Sequence, residues 1–224
     1  MPRTRRYAPG GLVFHALNRG VGKTQIFFND EDFAAFERTI EETLRMYPMR
    51  ILAYCLMPNH WHFVLWPQQD GEMSAFLQRL TNTHTQRWQR AHAAVGEGHL
   101  YQGRFKSFPV ETDDHFYALT RYVERNALRA NLVESAEAWR WGSLWRRGHP
   151  AGRPLLSAWP LPEPQGWQTM VDEPQTEAEL EAIRHCVQRG SPFGDEQWTK
   201  TTAEELGLEA TLRPRGRPKK PSGA

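Results

Sequence analysis

The stretch from Met49 to Trp66 constrains this chain most. Two runs dense in apolar residues, 49–57 (MRILAYCLM) and 60–66 (HWHFVLW), are separated only by Pro58-Asn59. A two-residue connection of turn-forming types leaves room for little but a tight reversal, so the segment reads as a β-hairpin. The first run is apolar at alternate positions of both kinds, as in a strand covered on two sides.

The flanking sequence supplies partners. Residues 11–18 (GLVFHALN) end at Arg19-Gly20 and read as a first strand closed by a turn. A helix follows: Asn29 or Asp30 can cap it, acids fill its first turn, and Phe33, Phe36, Ile40 and Leu44 recur at three-to-four spacing until Pro48. The spacing predicts a second helix over 72–92, with Met73, Phe76, Leu77, Leu80 and Trp88 on its apolar face, then a glycine loop at 96–98 and strand structure within 99–111. Asp113 opens a third helix whose buried stripe is Phe116, Leu119, Val123 and Ala127. The order β-α-β-β-α-β predicts an α+β fold: a ferredoxin-like split β-α-β core, with helices on one face of an antiparallel sheet and the other face open.

This core is expected to occupy residues 1–148. Pro150, Pro154, Pro160, Pro162 and Pro164 then mark 149–175 as an extended linker. Residues 176–212 read as a small helical DNA-binding extension, with Leu180, Ile183 and Val187 at helical spacing and a second short helix near 200–207. Residues 213–224 form a basic tail.

Charge separates the ends from the middle. The chain has 28 basic and 26 acidic residues, but residues 1–29 hold five basic residues (Arg3, Arg5, Arg6, Arg19, Lys23) and no acid. Residues 211–224 hold five more (Arg213, Arg215, Arg217, Lys219, Lys220), again without acid, which leaves the middle at a net −8. Basic ends around an acidic body fit a polyanionic partner, since each phosphate neutralised releases a condensed counterion; charged termini that merely aid solubility fit equally. No window approaches the roughly 18 unbroken apolar residues of a membrane span. The start lacks the pattern of a secretory signal, and two cysteines, Cys55 and Cys186, imply a reducing, cytoplasmic setting.

Chemistry concentrates in two places. Side chains two apart on a strand share a face, so His60 and His62 point together while Trp61 points into the opposite, apolar side. Such a pair is half of a metal site, or else ordinary polar surface or satisfied core residues. Tyr122 and Asn126 stand one helical turn apart in RYVERN, on one face of the third helix. A phenol with a pKa near ~10 is a poor nucleophile at neutral pH without a cation or strong electrophile nearby. A divalent ion held by His60, His62 and the amide oxygen of Asn126 would polarise a phosphodiester and favour the phenolate, with positions left open for substrate. Nitrogen and oxygen donors without thiolate are compatible with magnesium or manganese and do not exclude a heavier ion.

At these residues the chain resembles a known family. MPNHWHFVL (57–65) is similar to the His-hydrophobic-His motif of HUH endonucleases, specifically single-tyrosine transposases of insertion sequences, and most closely the REP-associated tyrosine transposases. HALNRG (15–20), RYVERNALRA (121–130) and RPRGRP (213–218) reinforce the likeness. The resemblance implies a metal-dependent single-stranded DNA endonuclease and strand transferase that recognises hairpins of repetitive extragenic palindromes. It implies Tyr122 as the nucleophile of a 5′-phosphotyrosine intermediate, and His60, His62 and Asn126 as ligands of Mg2+ or Mn2+. Where family members commonly have proline after the asparagine, Ala127 stands here, a change expected to tighten or extend the helix.

Basic residues around the site, Arg19, Arg104, Lys106, Arg121, Arg125 and Arg129, are interleaved with aromatic rings, as suits unstacked single strands; most of those rings must nevertheless be core. Arg3, Arg5 and Arg6 at the start, and Arg215, Arg217, Lys219 and Lys220 in an AT-hook-like tail, add candidate DNA contacts. The expected partners are single-stranded DNA and DNA hairpins, with no membrane, for a monomer or homodimer. The rival reading is a non-catalytic regulator that binds nucleic-acid hairpins; a metal phosphoesterase that activates water is a third.

Overall fold

The computed structural model describes residues 8–150 and 155–213. Strands β1 (Val13–Arg19), β2 (Arg50–Met57), β3 (His60–Trp66) and β4 (Lys106–Val110) form one antiparallel sheet in the order β2-β3-β1-β4. Helices α1 (Asp30–Met46) and α2 (Glu72–Ala91) make the β1-to-β2 and β3-to-β4 connections. This is the expected α+β, ferredoxin-like core. Downstream lie α3 (Asp114–Glu124), α4 (Asn126–Arg129), α5 (Ser143–Gly148), α6 (Trp167–Asp172), α7 (Glu177–Arg189), α8 (Glu196–Leu206) and α9 (Glu209–Leu212).

Local chemistry explains the boundaries. Asn29 caps α1, its side chain accepting from the Asp32 N–H at 3.1 Å, and Asp30, Glu31 and Asp32 place negative charge at the positive end of the helix dipole. The Pro58-Asn59 turn is held from outside, because the Pro58 carbonyl accepts from the N–H groups of Ile26 and Phe27. Asp113 caps α3 by accepting from the His115 N–H.

One sheet face, with Phe14, Ala16, Tyr54, Leu56, Trp61, Phe63 and Leu65, packs on α1 and α2 through Phe33, Phe36, Ile40, Phe76, Leu77 and Leu80. The opposite face, expected to be open, is covered. Val13, Cys55, Met57, Val64, Phe108 and Val110 meet Phe116, Leu119 and Val123 of α3, and Leu180, Ile183 and Cys186 of α7. The reason lies in the strands: β2 is apolar on both sides, and an uncovered face would leave that surface in water.

Residues 155–175, expected as an extended linker, are likewise packed. The Ser157 N–H bonds the Ile51 carbonyl at 2.8 Å, the Trp159 indole donates to the Leu52 carbonyl at 2.9 Å, and α6 follows with Trp167 and Val171 buried. Proline fixes φ and removes a donor, which disfavours helix without forbidding an extended chain from lying along a sheet edge. At the other edge Phe193 exchanges backbone hydrogen bonds with Pro109 and Glu111, so segments from the C-terminal third cover both exposed strands. Helix α8 starts earlier than expected because Asp195 caps it, accepting from the Trp198 N–H at 2.7 Å. Cys55 and Cys186 are both buried and free. Among the described residues no helix is long and apolar enough to cross a membrane.

Candidate active site

His60 and His62 occupy the first and third positions of β3, on the face covered by α3. Their ring centroids lie 5.0 Å apart with the planes at 79°. Each Nδ1 is engaged by a residue that sequence reading left unassigned. His60 Nδ1 lies 2.6 Å from Asn59 Oδ1, and since an amide oxygen only accepts, that nitrogen carries the hydrogen and Nε2 keeps its lone pair. His62 Nδ1 lies 2.8 Å from Nε2 of His15, a fully buried residue of β1. Burial, helped by the charges of Arg19 and Arg129, pushes His60 down to about 4. His62 is held well below its ordinary value by burial, then by His60, His15 and Arg129. Both imidazoles are therefore neutral at pH 7, the form that donates a lone pair.

Tyr122 meets this pair from above within the same chain. Its ring is edge-on to His62, centroids 5.9 Å apart, and the residue is 8% exposed. Sequence periodicity predicts one helix running past Ala127, but α3 stops at Glu124. Arg125 (φ −77°, ψ −3°), still in the right-handed region but with ψ near zero, separates it from α4, which begins at Asn126. The break occurs without a proline. In an unbroken helix, residues seven apart are separated by about 10 Å along the axis. Here the Arg129 guanidinium lies 4.1 Å from the Tyr122 ring centroid, and its Nη1 donates to the Tyr122 carbonyl at 3.2 Å. Asn126 is 6% exposed, and its amide nitrogen is buried without a hydrogen-bond partner.

The tyrosine-bearing segment is fastened from behind. The buried carboxylate of Glu124 accepts from Ser143 Oγ at 2.5 Å and the Trp167 indole at 2.7 Å, and it pairs with Arg147. Arg121 donates to the carbonyls of Glu173 and Pro174, and Arg125 to those of Val171 and Asp172. These two arginines, grouped by sequence with the DNA-facing cations, are turned onto the chain's own backbone.

Other predicted contacts sit around the imidazole pair. Arg19 stands opposite His60 across β1 and β3, and its Nε donates to Gln102 Oε1 at 2.7 Å. Exposed Arg104 and Lys106 lie on the loop into β4 and at its first residue, with Lys106 opposite Leu17 of β1. Arg3, Arg5, Arg6, Arg215, Arg217, Lys219 and Lys220 fall outside the described residues.

A second group of metal-capable side chains, Glu111, Asp113 and His115, has ligand atoms within 4.8 Å of one another. Its acids already serve the fold: Asp113 caps α3, and Glu111 accepts from the Asp195 N–H at 2.7 Å.

Comparison with known proteins now places the chain. A family model described as IS200-like transposase matches residues 11–126, a span that contains both imidazoles, the tyrosine and the asparagine. The chain belongs to the IS200-like transposase family. A putative REP-associated tyrosine transposase of Haemophilus influenzae is 21% identical over 150 residues, covering 63% of this chain and 84% of the relative. The solved structure of a REP-associated tyrosine transposase bound to a REP hairpin covers 79% of this transposase-family chain and is itself matched over its whole length. It superposes with a TM-score of 0.54 at 20% identity, which establishes a shared fold.

Proposed function

We propose that the protein is a metal-dependent endonuclease and strand transferase for single-stranded DNA, of HUH type, with Tyr122 as its nucleophile. The observation that carries this reading is the placement of the Tyr122 ring across from His62 within one chain, centroids 5.9 Å apart. The Tyr122 oxygen attacks a backbone phosphorus, a P–O bond to tyrosine forms as the bond to the 3′ oxygen breaks, and the DNA is left with a 5′-phosphotyrosine. The leaving 3′ oxygen takes up a proton and the phenol gives one up to solvent, so the step consumes no water and changes no oxidation state. Rejoining is the same step reversed, with a 3′-hydroxyl as the attacking group.

The donor set, two imidazole nitrogens and an amide oxygen, is compatible with a divalent ion. His60 has its Nε2 lone pair available, His62 has Nδ1 turned onto His15, and Asn126 is nearly buried and carries an amide oxygen able to ligate. His60, His62 and Asn126 would hold Mg2+ or Mn2+, which when bound supplies charge stabilisation to the phosphate. The chain's own part is orientation. Glu124, Arg121 and Arg125 fix the tyrosine segment, Arg129 lies against the phenol ring, and Arg19 places a cation beside His60. The facing rings of Tyr122 and His62 within one chain support a site built from a single copy.

The substrate reading is a DNA hairpin with a single-stranded flank, of the repetitive extragenic palindrome class. It is supported by the described relatives and by the acid-free, basic ends of the chain. Incubating the full chain with Mn2+ and labelled palindromic single strands is expected to yield a protein-linked DNA product that Tyr122→Phe abolishes. Scission that survives Tyr122→Phe would indicate water as the nucleophile, and binding without scission under any divalent ion would indicate a regulator; either result overturns the proposal.

A further inference from the structure

Resting on the reading that His60, His62 and Asn126 hold a divalent cation, we infer that His15 is a positioning residue that fixes the tautomer and ring orientation of His62. It thereby sets the affinity for that cation. His15 belongs to no ligand set and cannot reach solvent: it is 0% exposed on β1, with the Phe108 ring centroid 4.8 Å away. Its one polar contact is the 2.8 Å approach of Nε2 to His62 Nδ1.

Two neutral imidazoles in such contact share one bridging hydrogen, and only two arrangements exist. In the first, His62 Nδ1–H donates to a bare His15 Nε2, and His62 Nε2 keeps a lone pair for a cation. In the second, His15 Nε2–H donates to His62 Nδ1, the other hydrogen of His62 moves to Nε2, and ligation is blocked. His15 Nδ1 has no hydrogen-bond partner in the structure, so the first arrangement leaves its N–H without an acceptor, and no outside carboxylate or carbonyl pins either one. A cation at His62 Nε2 selects the first. The usual outer partner of a metal-bound histidine is an acceptor that fixes its tautomer, and a neutral imidazole performs that role here only while its Nε2 is bare.

The contact also explains why the ring of His62 is not free to turn. His62 stands between His15 on the neighbouring strand and Tyr122 on α3, with centroids 5.0 and 5.9 Å away. Removing the acceptor while keeping the bulk should leave the fold in place and loosen the ligand.

The test titrates the full chain with Mn2+ alone, following free Mn2+ by electron paramagnetic resonance, for the wild type, His15→Phe and His15→Gln. Removing an outer-shell partner typically weakens metal binding 10- to 100-fold, so His15→Phe is expected to fall in about that range with its thermal midpoint little changed. His15→Gln, whose side-chain oxygen can accept from His62 Nδ1, should recover most of the loss. Wild-type and His15→Phe chains that bind Mn2+ equally would overturn the role of His15 while leaving the metal reading intact. A wild type that binds no Mn2+, or binds it no better than His62→Ala, would overturn both. Should His15→Phe fail to fold, nitrogen-15 spectra of the wild type without added metal decide. A hydrogen on His62 Nδ1 upholds the proposal, and one on Nε2 overturns it.

Discussion

The buried contact of His84 with Tyr101 predicts a specific acid sensitivity. Tyr101 is nearly enclosed, its hydroxyl accepts from the Trp61 indole at 3.0 Å, and it lies 2.6 Å from His84 Nδ1. The hydroxyl accepts from Trp61, and its own hydrogen has His84 Nδ1 at 2.6 Å as acceptor, a contact that needs a bare Nδ1 and a neutral His84. Burial, with a smaller contribution from His92, pushes His84 down to about 3 from an ordinary 6.5. Between those two values the unfolded chain binds more protons than the folded one. Stability from this group is thus complete above about pH 6.5 and falls as the pH drops toward 3. From pH 7 to pH 4.5 the loss is two pH units below the unfolded value, or about 3 kcal/mol. With a urea slope of about 2–3 kcal/mol per molar, that moves the midpoint by about 1 M or slightly more. His84→Gln offers Tyr101 a carbonyl acceptor that does not titrate. Urea unfolding at both pH values, for wild type and variant, isolates the term, because other buried histidines cancel in the difference. A wild type whose pH-dependent loss matches that of His84→Gln to within about 0.5 kcal/mol, the usual scatter of such comparisons, would refute the reasoning.

Two further outcomes follow from the same kind of reasoning. Glu124→Ala leaves the Arg147 guanidinium, Ser143 and the Trp167 indole without their shared acceptor, and should destabilise the chain by about 3–5 kcal/mol in denaturant titrations. Deleting residues 214–224 removes Arg215, Arg217, Lys219 and Lys220; if the tail contacts duplex phosphate, the slope of log K against log salt for hairpin DNA should shrink by up to about 3–4. An unchanged slope would show that the tail makes no such contact.

Much of the core was legible along the chain because its signals are local. The Pro58-Asn59 turn between two apolar runs, the Asn29 cap and the 3.6-residue stripes of α1 and α2 each act within a few residues, and together they dictate the β-α-β-β-α-β order. Strand alternation alone put His60 and His62 on one face. What the sequence did not reveal depended on distant partners. The second sheet face is closed by α7, which lies more than a hundred residues beyond β3, and a run of prolines conceals the packing of Trp159 and Trp167. The interruption of the tyrosine helix at Arg125 follows no local breaker; the residues around it are tied to α5, α6 and the loop after α6. Arg121 and Arg125 read as free cations until their acceptors, backbone carbonyls some fifty residues away, were in view.

Composition and spacing by themselves determined which groups could do chemistry: two imidazoles, a phenol and an amide at strand and helix periods. Only tertiary structure decided how those groups are aimed. His15 and His62 are 47 positions apart, yet their nitrogens approach to 2.8 Å because antiparallel pairing of β1 and β3 sets the two rings side by side. Ring orientation and tautomer depend on such neighbours, and a neighbour across a sheet leaves no periodic trace in the chain that encodes it.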